Sequence, residues 1–120
     1  MTDQEAFDKM VRHLYSQNWE RSEEGEYKSC AYRGHNGMMC AVGCLIPDDE
    51  YIKAIEYKDY KTAKELCPSL ANISDNVLKE MQFFHDGCMV YCIDNGEIKD
   101  ELNDRAQKLG LSNKVLEEIV

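Results

Sequence analysis

Residues 30–48 read CAYRGHNGMMCAVGCLIPD, and this stretch concentrates reactive and turn-forming residues. It holds three of the six cysteines, one of the three histidines and three of the seven glycines. Asn36-Gly37 is the dipeptide most typical of a tight turn between two paired strands. We therefore predict a two-stranded hairpin over residues 27–40, with Gly34 and Gly37 in positive-φ conformations.

The second half of the stretch has a helical rather than a strand-like character. Residues 40–46, CAVGCLI, fit one or two turns of buried helix, and Pro47 ends that helix. A glycine inside a helix lets the backbone approach a neighbouring segment, so Gly43 marks a close packing contact.

The same patterns predict which side chains of the stretch reach solvent. Alternation in the hairpin and helical spacing after it place Cys30, Cys40 and Cys44 among the buried apolar residues. Arg33 and the turn around His35 are then the exposed part of the stretch.

Periodicity on both sides of the stretch predicts a helix-rich chain. Apolar residues at helical spacing indicate a helix over residues 2–17, and Thr2 with Glu5 has the spacing of a capping box. Residues 88–93 fit a strand or a helix equally well. Two short helices are predicted next, over 49–57 after an Asp48 cap and over 60–66. A longer helix is predicted over 74–86, with Ser74 as its cap and Gly87 as its stop. Two more follow, one containing residues 98–109 and ended by Gly110, and one that starts at Ser112.

Length and composition limit the fold class. A chain of 120 residues with 43% hydrophobic and 31% charged residues is typical of one globular unit. We predict a single α+β domain over residues 1–120. It is small and helix-rich, with one short β-hairpin packed against the first helix and the 74–86 helix.

The charge balance restricts the classes of partner. There are 23 acidic and 14 basic residues, which gives a net charge of −9, and the basic residues form no cluster. Proteins that bind nucleic acids present basic patches, so we expect no direct nucleic-acid binding. Apolar runs are short and the first ten residues are acidic, so we expect no membrane association and a cytoplasmic location. In that compartment the cysteines are expected to be free thiols.

One alternative for the cysteines is a metal site. Cys30, His35, Cys40 and Cys44 provide four zinc-type ligands within fifteen residues, as in a small structural zinc module. However, Cys40 and Cys44 are predicted on a buried helix and His35 at a turn tip. We therefore favour buried free thiols and expect no cofactor.

A second alternative is a cysteine-dependent hydrolase. Cys40 lies near the predicted start of a helix, which lowers a thiol pKa, and His85 with Asp86 can supply a base and its orienting carboxylate. Adjacent residues on a helix point about 100° apart, which disfavours an Asp86 to His85 bond. The hydrolase remains a minority hypothesis.

Recognition of a ligand or partner is the third possibility. The planar guanidinium of Arg33 suits a phosphate or carboxylate, and Gly34 beside it allows close backbone approach, with His35 next in the turn. Arg33 can instead pair with one of the many acidic residues. Aromatic side chains nearby in sequence offer stacking surfaces or core filling: Trp19, Tyr27 and Tyr32.

The central motif also carries a resemblance. CAYRGHNGMMCAVGCLIPDDEY, followed by a helix ending in FFHD and later by LGL, resembles a group of short uncharacterised proteins of bacteriophages and prophages. The group often has alanine where this chain has Cys44. The matching positions are Tyr32, Arg33, Gly37, Cys40, Gly43, Leu45, Ile46, Pro47, His85 and Asp86.

The resemblance implies a phage or mobile-element setting in a bacterial host cell and no particular chemistry. We therefore expect a non-enzymatic, phage-type accessory protein that acts by binding in the host cytoplasm, with counter-defence as one setting. Its partner is expected to be a host protein that it inhibits or a small anionic ligand that it sequesters. The cysteine hydrolase and the zinc module remain the alternatives.

Overall fold

The computed structural model describes residues 1–26 and 29–120. Within these ranges the chain forms an α+β, helix-rich domain with four α-helices and one antiparallel hairpin, as predicted. The two short strands pair Glu23 with Cys30 and Glu24 with Ser29. The elements are α1 (Asp3–Ser16), β1 (Glu23–Glu24), β2 (Ser29–Cys30), α2 (Tyr60–Leu66), α3 (Asp75–Phe83) and α4 (Asn95–Leu109).

Helix α1 forms as its periodicity predicts. Thr2 and Glu5 make both hydrogen bonds of the capping box, which satisfies backbone donors at the N-terminus. One face is completely buried and packs against residues 43–45, α3 and residues 114–118. That face consists of Ala6, Phe7, Met10, Val11 and Leu14.

Helix α3 begins at its Ser74 cap, as predicted, but it continues beyond the predicted stop. The chain passes from Phe83 into a π-helical turn, Phe84–Cys88, and then into a 3-10 turn, Met89–Tyr91. Gly87 therefore does not end the helical path, and the ambiguous segment 88–93 begins as a helical turn. None of the helices in the described residues is both long and apolar enough to span a bilayer.

The hairpin lies earlier in the chain than the predicted range 27–40. Tyr27 and Lys28, which belong to the predicted first strand, lie outside the described residues. The predicted returning strand does not form within the described residues, where Met39 makes an isolated bridge with Arg33. Helical turns begin at once after this bridge, which leaves no length of chain for a second strand.

The turn itself follows its sequence signature. Asn36 and Gly37 both adopt positive φ, at 57° and 75°, as a tight Asn-Gly turn requires. Gly34 does not, because its φ is −99°, so the prediction for Gly34 was wrong. A side chain is excluded there for a different reason: a Cβ would lie 2.5 Å from Ser22 Oγ.

The predicted helix over 49–57 is also wrong. Only Lys53–Ile55 forms a 3-10 turn, and the backbone is extended at Ile52 and at Glu56. The extended conformation places the Glu56 carboxylate in the interior, where it accepts hydrogen bonds from other segments. Tertiary hydrogen bonding therefore overrides the apolar spacing of this segment.

Residues 40–46 are buried, as predicted, with Gly43–Leu45 forming a 3-10 turn. Gly43 packs directly on the backbone of Tyr32, since a Cβ at this position would lie 2.3 Å from the Tyr32 carbonyl oxygen. This contact joins the two halves of the central stretch.

Candidate functional site

Two of the three cysteines in the central stretch are buried. Cys40 is 1% exposed and Cys44 is 7% exposed, which confirms the prediction for both. Cys30 is only partly buried, so the expectation of a mostly buried thiol is met less fully there. The structure has all the cysteines as free thiols.

The buried thiols are far from being ionised. Burial raises the pKa of Cys40 well above its ordinary range, and Cys40 Sγ accepts a hydrogen bond from the Gly43 N–H at 3.2 Å. Burial raises the pKa of Cys44 to about 12, and its thiol donates to the Ala41 carbonyl at 3.0 Å. A nucleophilic cysteine needs a lowered pKa and access to substrate, and Cys40 has neither.

His85 and Asp86 do form the pair that helical geometry disfavours. His85 Nδ1 lies 2.7 Å from Asp86 Oδ1. Both residues belong to the π-helical turn rather than to a regular α-helix. The wider turn changes the relative directions of neighbouring side chains, which explains why the expectation of an awkward bond was wrong.

The second ring nitrogen of His85 is occupied as well. Nε2 accepts a hydrogen bond from the backbone N–H of Ser22 at 3.0 Å. Because Nε2 is the acceptor, the ring proton resides on Nδ1 and is donated to Asp86. His85 is completely buried and has no free lone pair, so in this arrangement it cannot accept a proton from a nucleophile.

Cys30 lies beside this pair. The ligand atoms of Cys30, His85 and Asp86 all lie within 4.8 Å of one another. The sequence analysis did not predict that these three residues lie together. Cys30 reaches His85 and Asp86 because β2 pairs with β1, and that pairing was not predicted. A metal ion would need the lone pair that His85 already gives to Ser22, which leaves a thiol and one carboxylate as ligands.

The zinc set predicted from spacing is not assembled. In the described ranges, the metal-type cluster at Cys30 contains none of His35, Cys40 and Cys44. His35 Nε2 accepts a hydrogen bond from the Gly25 N–H at 3.2 Å.

Arg33 is partly buried, with 24% of its side chain exposed, and it is not the open group that was expected. Its guanidinium donates to Asp48 Oδ1 at 2.7 Å and to the Ile46 carbonyl at 2.6 Å, and it lies 5.0 Å from the centre of the Tyr51 ring. The guanidinium N–H groups that would bind an anion therefore already donate hydrogen bonds within the chain.

The other predicted binding residues differ in their exposure to solvent. His35 is exposed and Gly34 is half-buried, whereas Tyr32 is only 5% exposed and donates its hydroxyl to the Lys58 carbonyl. Tyr27 lies outside the described residues. Of the three aromatic residues proposed for stacking, Trp19 remains half-exposed and Tyr32 fills the core.

Glu56 organises this region. It is 6% exposed, and its carboxylate accepts from the backbone N–H groups of Tyr32 and Arg33 at 2.9 and 3.1 Å and from the Tyr51 hydroxyl at 2.6 Å. The sequence gives one sign that Glu56 is buried, which is its position directly after the apolar pair Ala54-Ile55.

A cleft of about 710 Å³ opens between residues 18–23 and residues 89–98. Its walls combine large apolar side chains with carboxylates. The apolar part comprises Trp19, Met89, Val90, Cys92, Ile93 and Ile98, and the acidic part comprises Glu20, Glu23 and Asp94.

Trp19 is held in the cleft in a strained conformation. Asn18 and Trp19 have φ values of 58° and 59°, a region that bulky residues avoid. The indole N–H donates to Asn95 Oδ1 at 2.9 Å, and the ring lies 5.5 Å from that of Tyr15. These contacts fix the indole despite the strain.

Large apolar side chains also face solvent beside the cleft. Val90 is 45% exposed, Tyr91 is 80% exposed and Ile93 is 84% exposed. Val90 and Ile93 line the cleft, and Tyr91 lies between them in the chain. Tyr91 itself lines a second pocket, which shares Cys92 with the cleft. We call these three exposed residues, Val90, Tyr91 and Ile93, the apolar ridge.

Comparison with models of known families, with curated proteins and with solved structures gave no match. A functional proposal for this chain therefore has to be argued from its own residues and from the resemblance of its central motif.

Proposed function

We propose that this chain is a phage-type accessory protein that acts by docking on a partner protein and inhibiting it. The docking surface is the cleft at Trp19 together with the apolar ridge of Val90, Tyr91 and Ile93. The exposure of this ridge beside the cleft is the observation that carries the proposal. A host protein as the partner, with counter-defence or host takeover as the setting, follows from the resemblance to phage proteins.

The composition of the surface supports a protein partner. Contiguous exposed apolar residues mark interaction sites more often than isolated ones do. Tyr and Trp are among the residue types enriched at the centres of protein interfaces, and the cleft and ridge expose Trp19 and Tyr91.

Sequestration of a small anion has less support. Its central residue, Arg33, is already bonded to the Ile46 carbonyl and to the exposed carboxylate of Asp48, so an anion would have to compete with that carboxylate. Hydrolysis at Cys40 has less support for a similar reason, because the thiol is buried and His85 gives its lone pair to Ser22.

Affinity capture from bacterial lysate tests the proposal. The immobilised wild-type chain is compared with the double variant Tyr91→Ser/Ile93→Ser, and both captured proteins and released small molecules are identified by mass spectrometry. The matched control is Ile52→Ser/Leu66→Ser, which removes apolar side chains that are 42% and 45% exposed and lie outside the cleft.

We expect a partner protein that is retained by the wild-type chain and by the control but lost by the ridge variant. Equal capture by all three chains would contradict docking at the ridge. Recovery of a bound small anion, lost on Arg33→Lys, would favour sequestration instead.

A further inference from the structure

Carboxylates dominate the charged groups of the Trp19 cleft. Glu20, Glu23 and Asp94 line it, and Arg21 is the basic residue among the described lining residues. The Arg21 guanidinium is engaged, since it donates to Glu23 Oε2 at 3.0 Å and to the Asp86 carbonyl at 3.1 Å. Because this ion pair also neutralises Glu23, the negative charge of the described cleft lining comes from Glu20 and Asp94, in a chain whose net charge is −9.

We propose that the cleft binds a short amphipathic segment of the partner in which Lys or Arg side chains alternate with apolar side chains. This inference rests on the docking surface proposed above and adds the chemistry of the occupant. The basic side chains meet the carboxylates, and the apolar side chains contact the ridge and the apolar wall. Complementary charge selects the partner and speeds the encounter, while apolar contact provides most of the affinity.

Trp19 gives the cleft a further preference for cations. An indole ring attracts a cationic group more strongly than other aromatic rings do, and the effect grows when water is excluded. Trp19 lies in sequence directly before Glu20, so a bound Lys or Arg side chain has an aromatic ring and a carboxylate within one short segment.

The strained backbone at Asn18 and Trp19 is consistent with a surface built for binding. Backbone strain of this kind persists where neighbouring contacts enforce it, and it is concentrated at functional sites. Here the contacts to Asn95 and Tyr15 hold the indole in place before any partner arrives. A preformed wall reduces the ordering that binding would otherwise require.

The position of Trp19 provides a direct readout, because it is the only tryptophan of the chain. The probes are three synthetic peptides of about 12 residues, long enough for three helical turns, with identical spacing of residue types and no tryptophan. One combines Leu with Lys, one combines Leu with Glu, and one combines Ser with Lys. Each is titrated while the emission wavelength and intensity of Trp19 are recorded.

We expect saturable binding of the Leu–Lys peptide and at least about ten-fold weaker binding of the other two, since they lack the charge or the apolar contact. Raising the salt concentration to about 0.5 M should weaken the Leu–Lys complex, because exposed charges are then screened. Equal binding of the Leu–Glu peptide would overturn the inference of a cationic occupant. Equal binding of the Ser–Lys peptide would overturn the cleft as the site, since it would reflect the net charge alone.

A matched pair of variants locates the charge effect. Glu20→Gln/Asp94→Ser removes two cleft carboxylates but keeps a capping side chain at the start of α4. Glu65→Gln/Asp59→Ser makes the same charge change elsewhere and keeps the α2 cap. We expect about three- to ten-fold weaker Leu–Lys binding for the first variant and little change for the second. Equal weakening by both would overturn the inference.

The result is separable from the proposed function. If no peptide binds, but lysate capture still depends on Tyr91 and Ile93, the cationic inference fails and the docking surface stands. If capture does not depend on the ridge, the docking proposal itself fails.

Discussion

His85 Nε2 accepts a hydrogen bond from the backbone N–H of Ser22 across 3.0 Å, in the buried interior of the domain. This bond ties the segment that leads into β1 to the π-helical turn after α3. It uses the lone pair that a catalytic base or a metal ligand would need. The histidine that sequence patterns suggest as a catalytic group is in this way a structural one.

A structural His85 predicts a specific ring tautomer and a specific mutational pattern. Long-range proton–nitrogen NMR correlations should show the proton of the His85 ring on Nδ1. His85→Ala should lower the free energy of unfolding by about 2 kcal/mol or more, because Ser22 loses its acceptor and a cavity forms. Asp86→Asn keeps an acceptor oxygen for Nδ1–H and should be milder. A protonated Nε2 would contradict this account.

Gly43 should not tolerate a methyl group. An alanine Cβ would lie 2.3 Å from the Tyr32 carbonyl oxygen, so the backbone of one segment has to move. We expect Gly43→Ala to lower the urea midpoint strongly, by about 2 kcal/mol or more in free energy. Gly87→Ala is the control, since a Cβ there meets no atom within 4 Å. Similar stability of the two variants would show that the close approach is not required.

Glu56 should be required as a carboxylate rather than as an amide. Its two oxygens accept from two backbone N–H groups and from the Tyr51 hydroxyl, so a Gln at this position would turn an N–H₂ group toward a donor. We expect Glu56→Gln to lower the free energy of unfolding by about 2 kcal/mol, and Tyr51→Phe, which removes one donor, by about 1 kcal/mol. Equal stability of Glu56→Gln and the wild-type chain in urea denaturation would refute this assignment.

The stability of the domain should fall as the pH drops below about 6.5, partly through His13. Burial lowers the pKa of His13, and its Nε2 lies 3.1 Å from the Met39 carbonyl oxygen. The unfolded chain therefore binds more protons at His13 than the folded chain as the pH falls below that value, which destabilises the fold. The pKa of several carboxyl groups is lowered too, but those groups act only below about pH 4.5: Glu5, Glu50, Asp75 and Glu118.

Urea denaturation at pH 7.5 and at pH 5.5 measures this effect. His13→Gln keeps a side-chain donor for Met39 and should show a smaller loss of stability between the two values than the wild-type chain. His35→Gln, which changes an exposed turn residue, serves as the control. An identical pH dependence for wild type and His13→Gln would rule out the contribution of His13.

The parts of the fold that were predictable from sequence are those that local interactions determine. The Thr2 capping box, the Ser74 cap and the stop of α4 at Gly110 each depend on residues within one helical turn. Asn36-Gly37 likewise produces its turn without help from distant residues.

The parts that were not predictable depend on partners far away in the chain. The pairing of Glu23 with Cys30 is two residues long and has no alternating pattern to reveal its register. The extended backbone at Glu56 exists because Tyr32 and Arg33 offer N–H groups to its carboxylate. The cleft at Trp19 requires residues 18–23 and 89–98 to meet, and no periodicity encodes that meeting.

Site-specific photocrosslinking in bacterial cells can show whether a partner docks at the apolar ridge. A photoreactive benzoyl-phenylalanine is introduced in place of Ile93, and separately in place of Leu66, which is exposed but outside the cleft. We expect position 93 to give a discrete crosslinked partner and position 66 to give no such adduct. The crosslinked peptide of the partner should be apolar and contain Lys or Arg. A partner that crosslinks from position 66 and not from position 93 would contradict it.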